Sequence, residues 1–98
     1  MKFVINFTPN AFEHLRDYKK SEQRIIVSAI KKQLINEPLI KTKNRKPLRA
    51  TPISRWELRI EKFRVFYSVD SLNNVVEINA IGYKEHNKLF VGGKEFKL

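Results

Sequence analysis

Two arginines at mirrored positions of a short alternating segment have the chemistry to bind one anion together. Residues 56–67 read WELRIEKFRVFY, which predicts two strands joined by a tight turn at Glu61-Lys62. With a two-residue turn, Arg59 lies directly opposite Arg64. Because like charges opposed across a ladder destabilise a sheet, this pair indicates an anion between them, and phosphate matches the guanidinium fork best. The alternative is a solvated basic face that keeps the sheet soluble.

The same alternation predicts an apolar and a polar face for this hairpin. The apolar face collects Trp56, Leu58, Ile60, Phe63, Val65 and Tyr67, and the polar face collects Glu57, Arg59, Arg64 and Phe66. Burial of the apolar face leaves the polar face open to a ligand. Phe66 is exposed by the alternation, so we expect it either to stack on a base or to pack under the C-terminal segment.

The composition points to a polyanionic partner. The chain has 98 residues, which predicts a single domain over residues 1–98. Its 20 Lys and Arg against 10 Asp and Glu give a net charge of +10, typical of proteins that meet nucleic acid, the ribosome, an acidic protein or an anionic membrane. With no cysteine, disulfides and thiolate metal sites are excluded. No apolar run approaches the ~18 residues of a membrane span, so we expect a cytoplasmic protein without a membrane partner.

A basic loop leads into the hairpin over residues 41–55. Its cations are Lys41, Lys43, Arg45, Lys46, Arg49 and Arg55, and no acidic residue lies between Glu37 and Glu57. Pro47 and Pro52 rule out a helix. This density of unpaired cations predicts a loop that follows a phosphate backbone, with a solvated linker as the alternative.

The remaining segments predict an α+β fold. Residues 2–7 are predicted as a strand, Thr8-Pro9-Asn10 as a helix start, and Ser21 as the cap of a second helix. The apolar stripes are Phe12, Leu15 and Tyr18 on the first helix and Ile25, Ile26, Ala29, Ile30 and Leu34 on the second. Residues 75–83 are predicted as a strand with Val76, Ile78 and Ala80 toward the helices, Gly82 as a bulge or close approach, and residues 89–98 as a last hairpin. The order β-α-α-β-β-β predicts a small antiparallel sheet with a helical hairpin packed on one face.

Two side chains near the arginines are candidates for proton transfer. Glu57 would be the base and His86 the acid, since imidazole has an unperturbed pKa near neutrality. The alternatives are that Glu57 only pairs with Arg59 and that His86 is a surface residue. His14 is expected to be structural or solvated, and the two histidines lack the spacing of metal ligands, so no metal is expected.

The order of these motifs resembles the RelE/ParE toxin superfamily. The residues that carry the resemblance are Pro47-Leu48-Arg49, Trp56, Leu58-Arg59-Ile60, Phe63-Arg64-Val65, Tyr67, Val75-Val76, Ile78 and Ile81-Gly82-Tyr83-Lys84. The resemblance implies the toxin half of a bacterial toxin–antitoxin pair, neutralised by a cognate antitoxin of acidic or amphipathic character. RelE-like members cut messenger RNA in the ribosomal decoding site, whereas ParE-like members poison DNA gyrase.

The resemblance also implies site residues. Arg59 and Arg64 match basic positions of the RelE-like nucleases, and Lys84 stands closest to a third. Glu57 replaces an often basic residue, and Phe90 is nearest to a position that carries tyrosine. The interpretation is a ribosome-dependent messenger RNA endonuclease in which the 2′-hydroxyl attacks the adjacent phosphate without metal or cofactor, so that ribosome and messenger RNA are the expected partners. The alternatives are a gyrase inhibitor and an inactive module that binds nucleic acid or antitoxin.

Overall fold

The computed structural model is a curved sheet with two helices on one face. It describes residues 2–48 and 55–97. Within these ranges the elements are β1 (Val4–Phe7), α1 (Pro9–Arg16), α2 (Lys20–Leu34), β2 (Arg45–Pro47), β3 (Trp56–Ile60), β4 (Phe63–Asp70), β5 (Val75–Glu85), β6 (Lys88–Val91) and β7 (Lys94–Phe96). The strands follow the order β2-β3-β4-β5-β6-β7, and β1 pairs with β5 beside β6.

The α+β class and the helical hairpin on one face are confirmed, with three refinements. The pairing of β1 with β5, which are separated in the chain by α1, α2 and β2–β4, is parallel, whereas all other described pairs are antiparallel. A short strand, β2, lies inside the segment that was expected to be irregular and pairs with β3. The C-terminal hairpin is present as β6 and β7, joined at Gly92-Gly93, both of which have positive φ.

Side-chain caps decide where the helices begin. Thr8 caps α1, since its hydroxyl accepts the backbone N–H of Ala11 at 3.2 Å, and Pro9 is the first helical residue. The second helix begins at Lys20, before the predicted cap at Ser21. There the carboxylate of Glu22 accepts the backbone N–H of Lys19 at 3.2 Å.

The main core lies between the helices and the sheet. Its buried members are Ala11, Leu15, Ile26, Ile30, Leu34, Leu58, Ile60, Phe63, Val65, Tyr67, Val76, Ile78 and Ile81. The predicted apolar face of the β3–β4 hairpin is therefore confirmed, with Trp56 packed at its edge. The stripe predictions were wrong for Phe12, which is 52% exposed, and for Ile25, which is 39% exposed, because each lies on the solvent side of its helix.

A smaller apolar cluster occupies the other face of the sheet. Phe66, Ala80 and Leu89 are buried there, with Leu48, Val91 and Phe96 packed against them. Ala80 was expected to face the helices. A register shift in the β4–β5 ladder pairs Phe66 with Ala80 and Tyr67 with Ile78, so a bulge forms at Asn79 and Ala80 turns to the opposite face.

Gly82 is a close approach between strands. A Cβ atom at this position would lie 2.4 Å from the carbonyl oxygen of Phe90 and 2.9 Å from a methyl carbon of Val91. Of the two interpretations of Gly82, close approach is therefore confirmed, whereas the bulge lies at Asn79.

Candidate nucleic-acid interface

The two arginines of the hairpin face each other across the β3–β4 ladder. Residues Arg59 and Arg64 are directly paired in the register, and the turn between their strands is Glu61-Lys62, as predicted. Paired residues of an antiparallel ladder project to the same side, so both side chains lie on the face opposite the helices. We call this surface, formed by Glu57, Arg59, Arg64 and Lys84, the arginine face.

The side chain of Arg64 is hydrogen-bonded to the backbone of the β3–β4 turn. One terminal nitrogen of its guanidinium donates to the carbonyl oxygens of Glu61 at 2.7 Å and Phe63 at 2.8 Å. Its Nε is buried and has no hydrogen-bond partner among the described residues. Burial lowers the pKa of Arg64, and neighbouring Arg59 lowers it further, while Glu57 acts in the opposite direction. A buried donor without an acceptor is costly, so the described structure holds the Arg64 guanidinium in a position that does not satisfy all of its donors.

Glu57 forms an ion pair with Arg59 on the same strand. Its Oε2 lies 3.3 Å from Nε of Arg59, and Glu57 is only 3% exposed, whereas the Arg59 side chain is 41% exposed. The carboxylate therefore neutralises part of the arginine charge instead of standing free. This geometry is that of the salt-bridge alternative for Glu57.

The two other predicted site residues, Lys84 and His86, differ in their placement. Gly82 pairs with Arg64 in the β4–β5 ladder, so Lys84, two residues further along β5, projects to the arginine face and is half-buried. His86 lies in the two-residue turn between β5 and β6, with a φ of 52°, and is exposed. Both roles remain predictions.

Phe90 lies on the helix side of the sheet. It pairs with Tyr83 in the β5–β6 ladder, and the two rings stack with centroids 5.3 Å apart. Tyr83 meets Tyr18 edge to face at 6.4 Å, and burial together with Tyr83 raises the pKa of Tyr18 to about 12. The third tyrosine, Tyr67, donates its hydroxyl to the carbonyl oxygen of Pro38 at 2.7 Å. All three tyrosines of the chain thus lie on the helix side, and none reaches the arginine face.

The predicted basic loop divides into surface and structural cations. Lys41, Lys43, Lys46 and Arg55 are exposed, and Arg49 lies outside the described residues. Arg45, in contrast, is buried, with Nε donating to the carbonyl oxygen of Ile40 at 3.0 Å and a terminal nitrogen to that of Gln33. Burial and these hydrogen bonds give Arg45 a structural role in holding the loop against the end of α2, and its contact with nucleic acid stays a prediction.

Phe66 follows the second of its two alternatives. It is fully buried in the smaller cluster, beneath Leu48 and Phe96, and stacking on a base is excluded. The strand alternation correctly predicted that Phe66 projects away from the helices. Residues of β6, β7 and the end of the loop, however, pack over it on that face. The open part of the arginine face is the end nearest the β3–β4 turn.

No cluster of three or more histidine, aspartate or glutamate side chains is placed to hold a metal ion in residues 2–48 and 55–97. Within the same ranges, no helix has the length and apolar character that crossing a membrane requires.

Comparison with solved structures defines the class of fold. The chain is similar to the toxin–antitoxin complex RelBE2 of Mycobacterium tuberculosis, with a TM-score of 0.74, 23% identity, and coverage of 86% of this chain and 93% of that one. It is also similar to the archaeal RelE–RelB complex of Pyrococcus horikoshii OT3, with a TM-score of 0.69, 20% identity, and coverage of 88% and 99%. At these identities the likeness shows a RelE/ParE-like fold.

The sequence itself defines the family. Residues 5–87 match the ParE toxin of the type II toxin–antitoxin system parDE, and the chain belongs to this family. No curated protein matches the chain. The superfamily predicted from the sequence motifs is therefore confirmed.

Proposed function

We propose that this toxin disables its target by binding, in the gyrase-directed manner of ParE-like members, and does not cut messenger RNA. The observation that carries the proposal is the pairing of Glu57 with Arg59. The carboxylate nearest to the arginine pair is buried and already neutralised. The arginine face therefore offers fixed positive charge without a free base beside it.

Cleavage of RNA requires groups that transfer protons in addition to positive charge. A base must take the proton of the 2′-hydroxyl, an acid must protonate the leaving 5′-oxygen, and each contributes roughly 10²–10⁴-fold. Arginine is a poor proton donor, and Phe90 lies on the opposite side of the sheet, stacked on Tyr83. Binding of a phosphate backbone needs only cations, which Arg59, Arg64 and Lys84 supply.

In a gyrase complex, the arginine face would contact DNA phosphate held by the enzyme. Arg64 would have to turn its guanidinium outward to bring Nε, which is buried and has no hydrogen-bond partner among the described residues, against that phosphate. The guanidinium of Arg59, which is partly exposed, would complete a bidentate arrangement around one phosphate.

Ribosome-dependent cleavage of messenger RNA is the second candidate. It is favoured by one observation, the direct opposition of Arg59 and Arg64 in the ladder, with Lys84 on the same face. These cations would stabilise the charged phosphorane, a contribution comparable to or larger than that of an acid or base. In this candidate His86 supplies the proton, and catalysis depends mainly on charge and positioning.

A cognate antitoxin is the proposed neutralising partner. The two solved structures compared above are toxin–antitoxin complexes. The net charge of +10 favours an acidic partner. The exposed Phe12 and Ile25 on the two helices favour one that also contributes an amphipathic segment. Since gyrase and ribosomes act in the cytoplasm, that compartment is the proposed location.

Induced expression separates the two candidates. We expect broken chromosomal DNA and intact transcripts, with loss of supercoiling by gyrase in a purified reaction. Primer extension on a cellular transcript provides the opposing readout, since cuts within translated codons would establish the nuclease instead. Arg64→Gln should lose either activity, whereas Lys94→Gln, which removes an exposed charge from β7, should retain it.

A further inference from the structure

A second basic surface lies on the helix side of the molecule. Lys20, Arg24 and Lys31 are exposed along one flank of α2. At 3.6 residues per turn they fall within an arc of about 40°, and they lie about 6 and about 10.5 Å apart along the helix axis. A shallow groove of about 490 Å³ follows this flank and is also lined by Gln23, Val27 and Ser28. We call these three cations and the groove the α2 flank.

The charges of the α2 flank are uncompensated. The only acidic residue of α2 is Glu22, which lies 3.6 Å from Lys62 of the β3–β4 turn. In the described part of the chain, no ion pair involves Lys20, Arg24 or Lys31. Lys20 is moreover the first residue of the helix, where the helix dipole disfavours a cation. These three cations therefore do not stabilise α2 through ion pairs with other described residues, and Lys20 does not do so through the helix dipole.

We propose that the α2 flank binds the phosphate backbone of a nucleic acid, separately from the arginine face. The three cations form a row about 16.5 Å long on one side of α2, so they can contact several phosphates on one side of a nucleic acid at once. Since α2 packs on the helix side of the sheet and Arg64 projects to the other, the two surfaces contact different segments of nucleic acid.

The flank fits nucleic acid better than an acidic protein. Protein interfaces depend on apolar anchors at their centre. On the flank the only apolar side chain is Val27, which packs against the core. The exposed apolar residues of the helices, Phe12 and Ile25, lie elsewhere. The polar ends of the lysine, arginine, serine and glutamine side chains around Val27 are groups that commonly contact phosphate.

The sequence carries a signal for this surface that motif reading missed. The spacing of Lys20, Arg24 and Lys31 is i, i+4 and i+11, which is one helical face. The helix bounds and the exposure of each residue bring the three cations together.

The test is a salt titration with a charge-matched control. Binding of the purified chain to a labelled 20-base-pair DNA duplex is measured as a function of salt. One variant combines Lys20→Gln, Arg24→Gln and Lys31→Gln. The control combines Lys2→Gln, Lys32→Gln and Lys94→Gln, which removes the same charge from exposed positions, one of them on another side of α2. Circular dichroism verifies that both fold.

The expected result is a change in the salt slope of the flank variant alone. Each lost contact reduces the slope of log affinity against log salt by about 0.9, so three contacts reduce it by about 2.7. The control should keep the parent slope. Equal slopes for the flank variant and the control, or no binding by the parent chain, would overturn the proposal.

Two further arms identify the source of any effect. If the flank variant loses binding to a polyglutamate peptide while its DNA binding is unchanged, the surface serves an acidic protein and the proposal is wrong. The double variant Arg59→Gln/Arg64→Gln tests the proposed toxin function independently. We expect this double variant to lose toxicity but to keep the part of the salt slope that the α2 flank contributes. If it instead loses all DNA binding, the nucleic acid binds to the arginine face alone and the proposal is wrong.

Discussion

The imidazole of His14 accepts the backbone N–H of Ile81, with Nδ1 3.2 Å from the amide nitrogen. This bond fills a gap along the edge of β5, where β1 pairs only as far as Ile78 and β6 begins at Gly82. The hydroxyl of Thr8 reaches the carbonyl oxygen of Asn79 in the same gap, at 3.4 Å. A helix thus supplies the acceptor that a neighbouring strand would otherwise provide, and the structural role expected for His14 is confirmed.

The first prediction concerns pH. Nδ1 can accept only when it is unprotonated, and burial lowers the pKa of His14 from 6.5, against the weaker raising effects of Asp17 and Glu13. The folded state therefore binds fewer protons than the unfolded state. We expect the free energy of unfolding to fall as the pH drops below 6.5, by at most about 1.4 kcal/mol per pH unit.

Urea denaturation between pH 5 and pH 8 measures this effect. His14→Gln should remove the part of the fall in unfolding free energy that His14 causes below pH 6.5. The matched control is His86→Gln, which alters the exposed histidine in the β5–β6 turn and should leave the slope intact. A slope that survives in His14→Gln would assign the titration to another group.

The second prediction separates the effect of Arg64 on the stability of the fold from its effect on toxicity. Its hydrogen bonds to Glu61 and Phe63 are local, so Arg64→Gln should lower the free energy of unfolding by only about 1 kcal/mol. Toxicity in a growth assay should nevertheless be lost. Arg64→Lys keeps the charge without the planar fork and should restore toxicity only in part. A folded Arg64→Gln variant with full toxicity would remove Arg64 from the site.

The third prediction tests Glu57 as an ion-pair partner. Glu57→Gln removes the negative charge at nearly constant shape and frees Arg59 for an anion. We expect toxicity to be unchanged or increased, with the free energy of unfolding altered by about 1 kcal/mol or less. If the folded variant instead loses about 10²-fold or more of its activity, Glu57 is a catalytic base.

The fourth prediction concerns Phe90. Because its ring stacks on Tyr83 on the helix side, Phe90→Tyr should place no hydroxyl near Arg64. We therefore expect this variant to cut a ribosome-bound transcript no more than the parent chain does, as measured by primer extension. New cuts within codons would contradict the placement of Phe90 that separates it from the arginine face.

The fifth prediction concerns the approach of β6 to β5. Gly82→Ala would bring a methyl group against the backbone of Phe90, which cannot move aside, and should destabilise the fold by about 2–3 kcal/mol. Gly93→Ala is the control, since no atom lies within 4 Å and only its φ of +80° is strained. We expect a loss of about 1 kcal/mol there, and thermal melting compares the two. Equal losses would mean that β6 shifts easily.

Local sequence patterns determined much of this fold. The alternation of residues 56–67 and a two-residue turn were enough to predict that Arg59 opposes Arg64, because the side-chain period of a strand is two and a tight turn sets the register. The cap at Thr8 and the C-terminal hairpin at Gly92-Gly93 were also predictable, since each depends on neighbours a few residues away. The superfamily followed from the order of these local motifs.

The tertiary structure decided what each candidate side chain contacts. Arg45 belongs to a basic run in the sequence, yet it is buried because carbonyl groups at Ile40 and Gln33 converge on it. The bulge at Asn79 turned Ala80 to the other face, and the pairing of β6 with β5 put Phe90 behind the sheet. These outcomes depend on register and packing between distant segments, which a local period does not encode, because one residue of slip reverses every facing.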